Sequence, residues 1–223
     1  SSFPAFIPTL TVVVIFCFLF FFSVNFNRLS NSSTSVQCHD YYEANYYKQS
    51  PEKDPPGPTS VSVRVLRGGS WDFHTRLARS ANRMGATLVT RGLDGFRLVR
   101  ELDDSTQSTP PTSPVPVDPP IIELPSITNT IGMTLNKIPA GTFMIGSPES
   151  EPDREIIETQ RKVTITNPFY MQTTEVTQGQ WMALMGTEPW KGKSYVKEGS
   201  DYAASYVSWD DAVAFCKKLN EKE

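Results

Sequence analysis

Two short runs, RVLRGGSW at Arg64–Trp71 and GFRLVR at Gly95–Arg100, decide the fold prediction for this chain of 223 residues. In and just before the first run, valines alternate with polar residues, which is the period of a half-buried strand. Gly68 and Gly69 then end or bulge that strand, because glycine can turn where a Cβ would clash. The second run alternates in the same way. The region from Cys38 to Arg100 therefore predicts two strands separated by irregular loops.

Farther along the chain, residues 127–223 predict more strands. IGMTLNKIPAGTFMIGS contains two short strands that turn at Pro139–Gly141, and KVTIT at Lys162–Thr166 is another. Asn167 and Pro168 break the last strand, because proline lacks the N–H that a sheet requires.

Two helices are predicted in the same region by their start signals. Thr177 with Gln180, and Ser208 with Asp211, have the spacing of capping boxes. In the second helix the apolar residues recur at helical spacing, at Ala212, Phe215, Cys216 and Leu219. We therefore interpret Cys216 as a core residue rather than a nucleophile. Strands together with amphipathic helices give an α+β fold class.

A proline-rich stretch, residues 101–126, separates the two regions. Its prolines stand among Ser, Thr and Asp, at positions 110, 111, 114, 116, 119, 120 and 125. Such a composition predicts an extended, semi-rigid linker near polyproline II. The predicted organisation is therefore a segment 1–37, a domain part 38–100, the linker 101–126 and a second domain part 127–223.

The first 37 residues are strongly apolar. Phe6–Val24 is long enough to span the hydrocarbon core of a membrane as a transmembrane helix. A signal sequence is the competing interpretation, and a third is that residues 1–37 are foreign to the native protein. If this segment is genuine, the protein is membrane-anchored or secreted, with membrane contact through residues 6–24.

The composition offers few candidate residues for metal binding, disulfide bonds or ligand binding. The net charge is −3, so the whole chain has no electrostatic reason to bind nucleic acid. Two histidines and three widely spaced cysteines provide neither a metal-ligand cluster nor a disulfide framework. Arginines are concentrated between positions 64 and 100, where an anion-binding patch is conceivable. We favour structural arginines that tie loops together through carbonyl and carboxylate acceptors.

The motifs resemble those of a known family. RVLRGGSW, RSANR at Arg79–Arg83 and GFRLVR follow in order and resemble the C-terminal end of a formylglycine-generating-enzyme-like, or sulfatase-modifying-factor, domain. GMTLNKIPAGTFMIGS, FYMQTTEVTQGQW and YVSWDDAVAFCKKLN resemble the N-terminal half of the same domain. The resemblance to the tail begins at Cys38 and is absent before it.

The order of the pieces leaves two arrangements open. A tail followed by a head is expected of two partial copies in a tandem-domain protein, of which this chain is a fragment. Alternatively, the two pieces dock on each other as a permuted partial domain. In either case the resemblance implies a loop-rich, incomplete fold related to C-type lectins.

The resemblance also implies which chemistry to look for. Catalytic family members bind copper through two cysteines that follow the Gly-Gly-Ser-aromatic motif, and complete members also bind calcium. Here the matching positions hold Phe73 and Ala78, which cannot supply thiolates. We therefore assign no catalytic, cofactor-binding or metal-binding residue and expect no cofactor in this chain.

Two functions remain as hypotheses. The first is a non-catalytic binding or structural module with an unidentified protein or peptide partner. The alternative is a fragment of a copper-dependent oxidase that converts a sulfatase cysteine to formylglycine.

Overall fold

The computed structural model describes residues 35–59, 62–68, 74, 77, 79–102 and 125–223, together with the backbone of Val12–Val14. We call residues 35–102 the first segment and residues 125–223 the second segment. The strands and helices follow in chain order: β1 Val12–Val14, β2 Val36–Tyr41, α1 Tyr46–Gln49, β3 Val63–Arg67, β4 Met84–Thr87, β5 Leu98–Glu101, β6 Ser126–Thr128, β7 Thr134–Ile138, β8 Gly141–Ile145, β9 Arg161–Ile165, β10 Phe169–Gln172, α2 Gln178–Met185 and α3 Trp209–Lys222.

The largest sheet contains strands from both segments. Its order is β1-β5-β10-β7-β6, and every neighbouring pair is antiparallel. Val99 of β5 lies opposite Met171 of β10, and Phe169 of β10 lies opposite Ile138 of β7. The first segment thus contributes a strand to the sheet of the second, which is the docked arrangement left open by the sequence.

Two smaller sheets each belong to a single segment. β2, β3 and β4 form an antiparallel sheet in the first segment, and β8 pairs with β9 in the second. With the helices α2 and α3, these sheets confirm a mixed helix-and-sheet fold. The strand predicted at Gly95–Arg100 is observed slightly later, because Gly95 instead makes an isolated bridge with Val36.

The main core lies between α2, α3 and the large sheet. Trp181 of α2 stacks on Phe215 of α3, with ring centroids 5.4 Å apart. Phe96, from the first segment, meets both rings edge-on at 6.1 and 5.6 Å. Both predicted capping boxes are present, at Thr177 and at Ser208. The apolar face predicted for α3 is buried in this core as expected.

Residues before Cys38 take part in the fold. β2 begins at Val36 and crosses the boundary that the sequence placed between residues 37 and 38. Ser35 is buried, its carbonyl accepts a hydrogen bond of 2.8 Å from Gly95 N, and its hydroxyl donates to Asp94. The described fold therefore extends at least to Ser35, whereas the division into tandem domains stays a prediction.

The prediction of a transmembrane helix over Phe6–Val24 is wrong at three residues, Val12–Val14. Val12–Val14 form a strand that pairs with β5, with Val13 opposite Val99. Consecutive β-branched residues suit an extended backbone because their side chains lose rotamer freedom in a helix. The rest of Phe6–Val24 lies outside the described residues. Within the described part of the chain, no helix is both long enough and apolar enough to cross a membrane.

Candidate binding cleft

A polar cleft opens beside the start of α2 in the second segment. Its volume is about 640 Å³. It lies between the ends of β7 and β10, the first turn of α2 and the loop 199–203. The lining residues are Gly132, Thr134, Thr173, Thr174, Glu175, Thr177, Gln180, Gly199, Ser200, Asp201, Tyr202 and Ala203. Hydroxyl, amide and carboxylate groups therefore dominate its polar surface.

The helix wall of the cleft is fixed by the capping box of α2. Thr177 Oγ1 accepts from Gln180 N at 3.2 Å, and Gln180 Oε1 accepts from Thr177 N at 3.0 Å. Gln180 Oε1 also accepts from Gln172 Nε2 at 3.1 Å. Because these bonds are reciprocal, the two lining side chains have one defined orientation before any ligand arrives.

The loop wall is fixed by the buried side chain of Gln178. Gln178 Nε2 donates to the Lys197 carbonyl at 2.9 Å, and its Oε1 accepts from Gly199 N at 2.9 Å. Gly179 approaches closely enough that a Cβ there would lie 3.1 Å from the Ser200 carbonyl oxygen. The loop 197–203 is therefore held against α2 rather than free to open.

The charged groups lining the cleft are all carboxylates. Glu175 and Asp201 line it, and none of the described residues in its lining is Lys, Arg or His. Glu175 Oε1 accepts from Arg97 Nη2 at 2.9 Å, and both side chains are largely buried, with exposures of 13% and 7%. Arg97 belongs to the first segment. The geometry of the cleft therefore depends on contact between the two segments.

The prediction that the arginines are structural is confirmed at several positions. Arg67 is buried and Nη1 donates to the carbonyls of Ser80, Ala81 and Asn82 at 3.0, 3.1 and 3.3 Å. Arg83 donates to the carbonyls of Glu43 and Ile157. These bonds satisfy loop carbonyls that have no strand partner, which is the role that the sequence predicted. Arg76 lies outside the described residues.

A cluster of aromatic side chains and one histidine, drawn from both segments, surrounds Arg64. Its guanidinium lies 3.7 Å from the centroid of the Tyr41 ring and 4.3 Å from that of Trp209. His39 lies beside it, with its ring 5.6 Å from that of Trp209. Burial, followed by the charge of Arg64, lowers the pKa of His39. A lowered pKa disfavours the charged imidazolium.

The two described cysteines do not form a pair. Cys38 is buried among Val36, Val65, Val99 and Phe169, whereas Cys216 is buried in the main core. Burial raises the pKa of Cys216, which keeps it as a neutral thiol. This confirms Cys216 as a core residue. Phe73 and Ala78 lie outside the described residues. Among the described residues, no group of three His, Cys, Asp or Glu side chains could hold a metal ion.

The cleft was not predicted from the sequence. The capping-box spacing located Thr177 and Gln180, but it indicated a helix start and not a wall of a cleft. The available signal was the run of hydroxyl and carboxylate side chains in TTEVT at residues 173–177. That run is ordinary for a surface loop, so only its position opposite the loop 199–203 makes it informative.

Comparisons with known proteins agree with the motifs of the second segment. Residues 128–222 match the sulfatase-modifying factor enzyme 1-like domain. A stretch of 73 residues is 37% identical to the formylglycine-generating enzyme of Streptomyces coelicolor. This match covers 30% of the chain and 22% of the length of that relative. No solved structure matches the chain.

Proposed function

Because residues 128–222 belong to the sulfatase-modifying factor enzyme 1-like domain family, we propose that this chain is a non-catalytic binding module that holds a protein or peptide partner in the cleft. The chain then acts as a sulfatase-modifying-factor-like protein that binds a partner without oxidising a cysteine. Its fold is the loop-rich, C-type-lectin-like architecture that the family resemblance implies. The two domain parts, 38–100 and 127–223, remain the proposed organisation.

One observation carries the non-catalytic assignment. Phe73 and Ala78 stand where the resemblance places the copper-binding cysteines. A Cu(I) site needs soft thiolate ligands, and neither side chain can provide one. The described thiols are not substitutes, because Cys38 and Cys216 are buried in different clusters. The residues present therefore do not fit the copper of the family, and we assign no copper or calcium to this chain.

The cleft supports a binding role by its size and rigidity. Ligand clefts commonly have volumes of about 300–1,000 Å³, and this one is about 640 Å³. Its walls are fixed by the bonds of Gln178 and Gln180, so little ordering entropy is lost when a ligand enters. Thr173 and Thr174 donate their hydroxyl protons within the protein, so their oxygens and the Glu175 carboxylate are left as acceptors for the N–H groups of an extended peptide.

The binding role is tested by selecting peptides from a displayed library for binding to the immobilised full chain. Peptides should be enriched on the wild-type chain, and their binding should be lost in Ser200→Trp, which fills the cleft. Met182→Trp is the matched control, because Met182 is exposed on α2 and does not line the cleft. Equal binding by the two variants would place the peptide site elsewhere.

A second assay tests the absence of oxidation. The full chain is loaded with Cu(I) and incubated in air with a cysteine-containing sulfatase peptide, and the product is analysed by mass spectrometry. We expect the peptide to keep its cysteine. Appearance of an aldehyde in place of the thiol would overturn the non-catalytic assignment.

The alternative is a fragment of a formylglycine-generating oxidase. It is favoured by the match to the formylglycine-generating enzyme of Streptomyces coelicolor, of which the matched stretch spans 22%. On this hypothesis the catalytic cysteines lie in sequence beyond Glu223. Peptide mapping of the protein from its source distinguishes the binding module from the oxidase fragment, because the oxidase requires peptides past Glu223 that contain the cysteine pair.

Localisation belongs to the same proposal. Membrane anchorage or secretion stays a prediction, but the strand at Val12–Val14 is incompatible with a single transmembrane helix over residues 6–24. Fractionation of the native protein between membrane and soluble material tests it directly, and peptides covering residues 36–38 show whether the apolar start belongs to the same polypeptide.

A further inference from the structure

Three consecutive residues of the first segment bond to the wall of the cleft without lining it. Phe96, Arg97 and Leu98 lie at the start of β5, and all three are buried. None of the three is among the residues that line the cleft. Each of them nevertheless makes a hydrogen bond to the part of the second segment that forms the cleft wall. Any effect of these residues on a ligand is therefore indirect.

The side chain of Arg97 fixes the carboxylate of Glu175. Arg97 Nη2 and Nε both donate to Glu175 Oε1, at 2.9 and 3.3 Å. Such charge-assisted bonds are stronger than neutral ones and fix the orientation of the acceptor. Glu175 lines the cleft, and its other oxygen, Oε2, accepts no hydrogen bond from the described residues. Oε2 is therefore left as an acceptor of fixed orientation.

The other two contacts involve the backbone of the first segment. Val176 N donates to the Phe96 carbonyl at 2.9 Å. Leu98 N donates to Gln172 Oε1 at 3.3 Å, and Gln172 Nε2 donates in turn to Gln180 Oε1 at 3.1 Å. Gln180 lines the cleft. A second side chain of the cleft wall is thus connected to the first segment by hydrogen bonds.

No described residue in the lining of the cleft can replace Arg97. The side chain of Glu175 is 13% exposed and that of Arg97 is 7% exposed. A carboxylate buried to this extent is costly to leave unpaired, so without Arg97 it turns toward water or takes up a proton. None of the described lining residues is a Lys, Arg or His that could pair with it instead. Loss of Arg97 therefore changes the acceptor that the cleft offers to a ligand.

We propose that Arg97 is a positioning residue of the cleft, which acts on a bound peptide through Glu175. The Glu175 carboxylate accepts an N–H group of the peptide, and Arg97 holds that carboxylate in place before the peptide arrives. The inference rests on the proposed function, because it takes the cleft to be a peptide site. It adds that the first segment takes part in recognition without touching the peptide.

A double-variant cycle on the full chain tests this role. The probe is a fluorescently labelled peptide obtained from the library selection on the wild-type chain. Arg97→Met should lower its affinity on the order of tenfold or more, the usual effect of losing a charge-assisted hydrogen bond. In a Glu175→Leu background no carboxylate remains to be positioned, so Arg97→Met should cause no further loss. Equal losses from Arg97→Met in both backgrounds would show that it only loosens the fold, and would overturn the proposal.

Two further variants separate positioning from stability. Arg79→Met removes another ion pair between the segments, with Glu151 at 2.8 Å, and Arg79 does not line the cleft. This variant should lower the melting temperature and leave the affinity for the peptide unchanged. Arg97→Lys keeps a charged donor for Glu175 and should recover most of the affinity, although it lacks the planar fork of arginine. Equal losses of affinity in Arg79→Met and Arg97→Met would contradict a specific role of Arg97.

The double variant keeps the test decisive if Arg97→Met alone folds poorly. Replacing both members of a buried ion pair by apolar residues of similar size is often neutral for stability. Arg97→Met combined with Glu175→Leu should therefore melt near the wild-type temperature and bind the peptide weakly. Wild-type affinity in this double variant would overturn the proposal, because it contains neither the acceptor nor the residue that positions it.

Failure of this inference can be told apart from failure of the proposed function. A wild-type chain that enriches no peptide overturns the proposed function and the role of Arg97 with it. A wild-type chain that binds the peptide, with equal affinity in Arg97→Met, overturns the role of Arg97 alone.

Discussion

The first and second segments are held together in different ways. The first segment buries four arginines among its described residues, namely Arg64, Arg67, Arg83 and Arg97. The described part of the second segment buries no arginine and instead encloses Trp181, Trp190 and Phe215 between two helices. A helix satisfies its own backbone, whereas irregular loops leave carbonyls that need side-chain donors. At Arg67 and Arg83, bonds to loop carbonyls account for the burial of the arginine without a bound ligand.

The largest expected effect tests the apolar half of this comparison. Trp181→Ala removes a side chain that is 2% exposed and stacked on Phe215. Loss of such a buried aromatic costs about 3–5 kcal/mol in the free energy of unfolding. Chemical denaturation measures it, with Met182→Ala on the exposed face as control. Equal losses would show that α2 is not packed as described.

The next prediction tests the polar half. Arg67→Met keeps an apolar stem but leaves three loop carbonyls without their donor. Orphaned buried acceptors cost about 1–3 kcal/mol each, so we expect a loss of roughly 3 kcal/mol or more. Arg91→Met is the control, because the Arg91 side chain is 51% exposed and its pair with Asp211 lies at the surface. A loss no larger than that of the control would mean that Arg67 contributes little.

A smaller effect is expected at the start of α3. Ser208→Ala removes the hydroxyl that accepts from Asp211 N at 3.3 Å and donates to Asp211 Oδ2 at 2.6 Å. Loss of an N-cap costs about 1 kcal/mol. Thermal unfolding of this variant, compared with Ser194→Ala in an exposed loop, measures it. Matching melting temperatures would argue against the capping box.

The smallest effect concerns pH. Burial raises the pKa of Asp211, but hydrogen bonds from Ser208 and the charge of Arg91 outweigh it and leave the pKa below 3.8. A carboxyl with a lowered pKa stabilises the fold above its unfolded pKa and loses that contribution as the pH falls through the folded value. The gap in melting temperature between wild type and Asp211→Asn should therefore be widest near neutral pH and narrow below about 3.8. A gap independent of pH would contradict the assignment.

Local features were predictable from the sequence and distant pairings were not. The caps at Thr177 and Ser208 and the apolar face of α3 follow from spacings within a few residues. The pairing of β5 with β10 joins residues about 70 positions apart, and no local pattern specifies it. The cleft was missed for the same reason, because its walls meet only after α2 packs against the loop 199–203. The sequence also left open whether the pieces dock.

The position of β5 between β1 and β10 has a consequence for synthesis. Residues 35–102 leave the ribosome before β10, α2 and α3 are synthesised. Phe96 and Leu98 therefore stay exposed until the residues that cover them have been made. At about 5–20 residues per second, completion through α3 takes on the order of 6–24 s. The rate of translation thus sets how long the apolar side chains of Phe96 and Leu98 stay exposed.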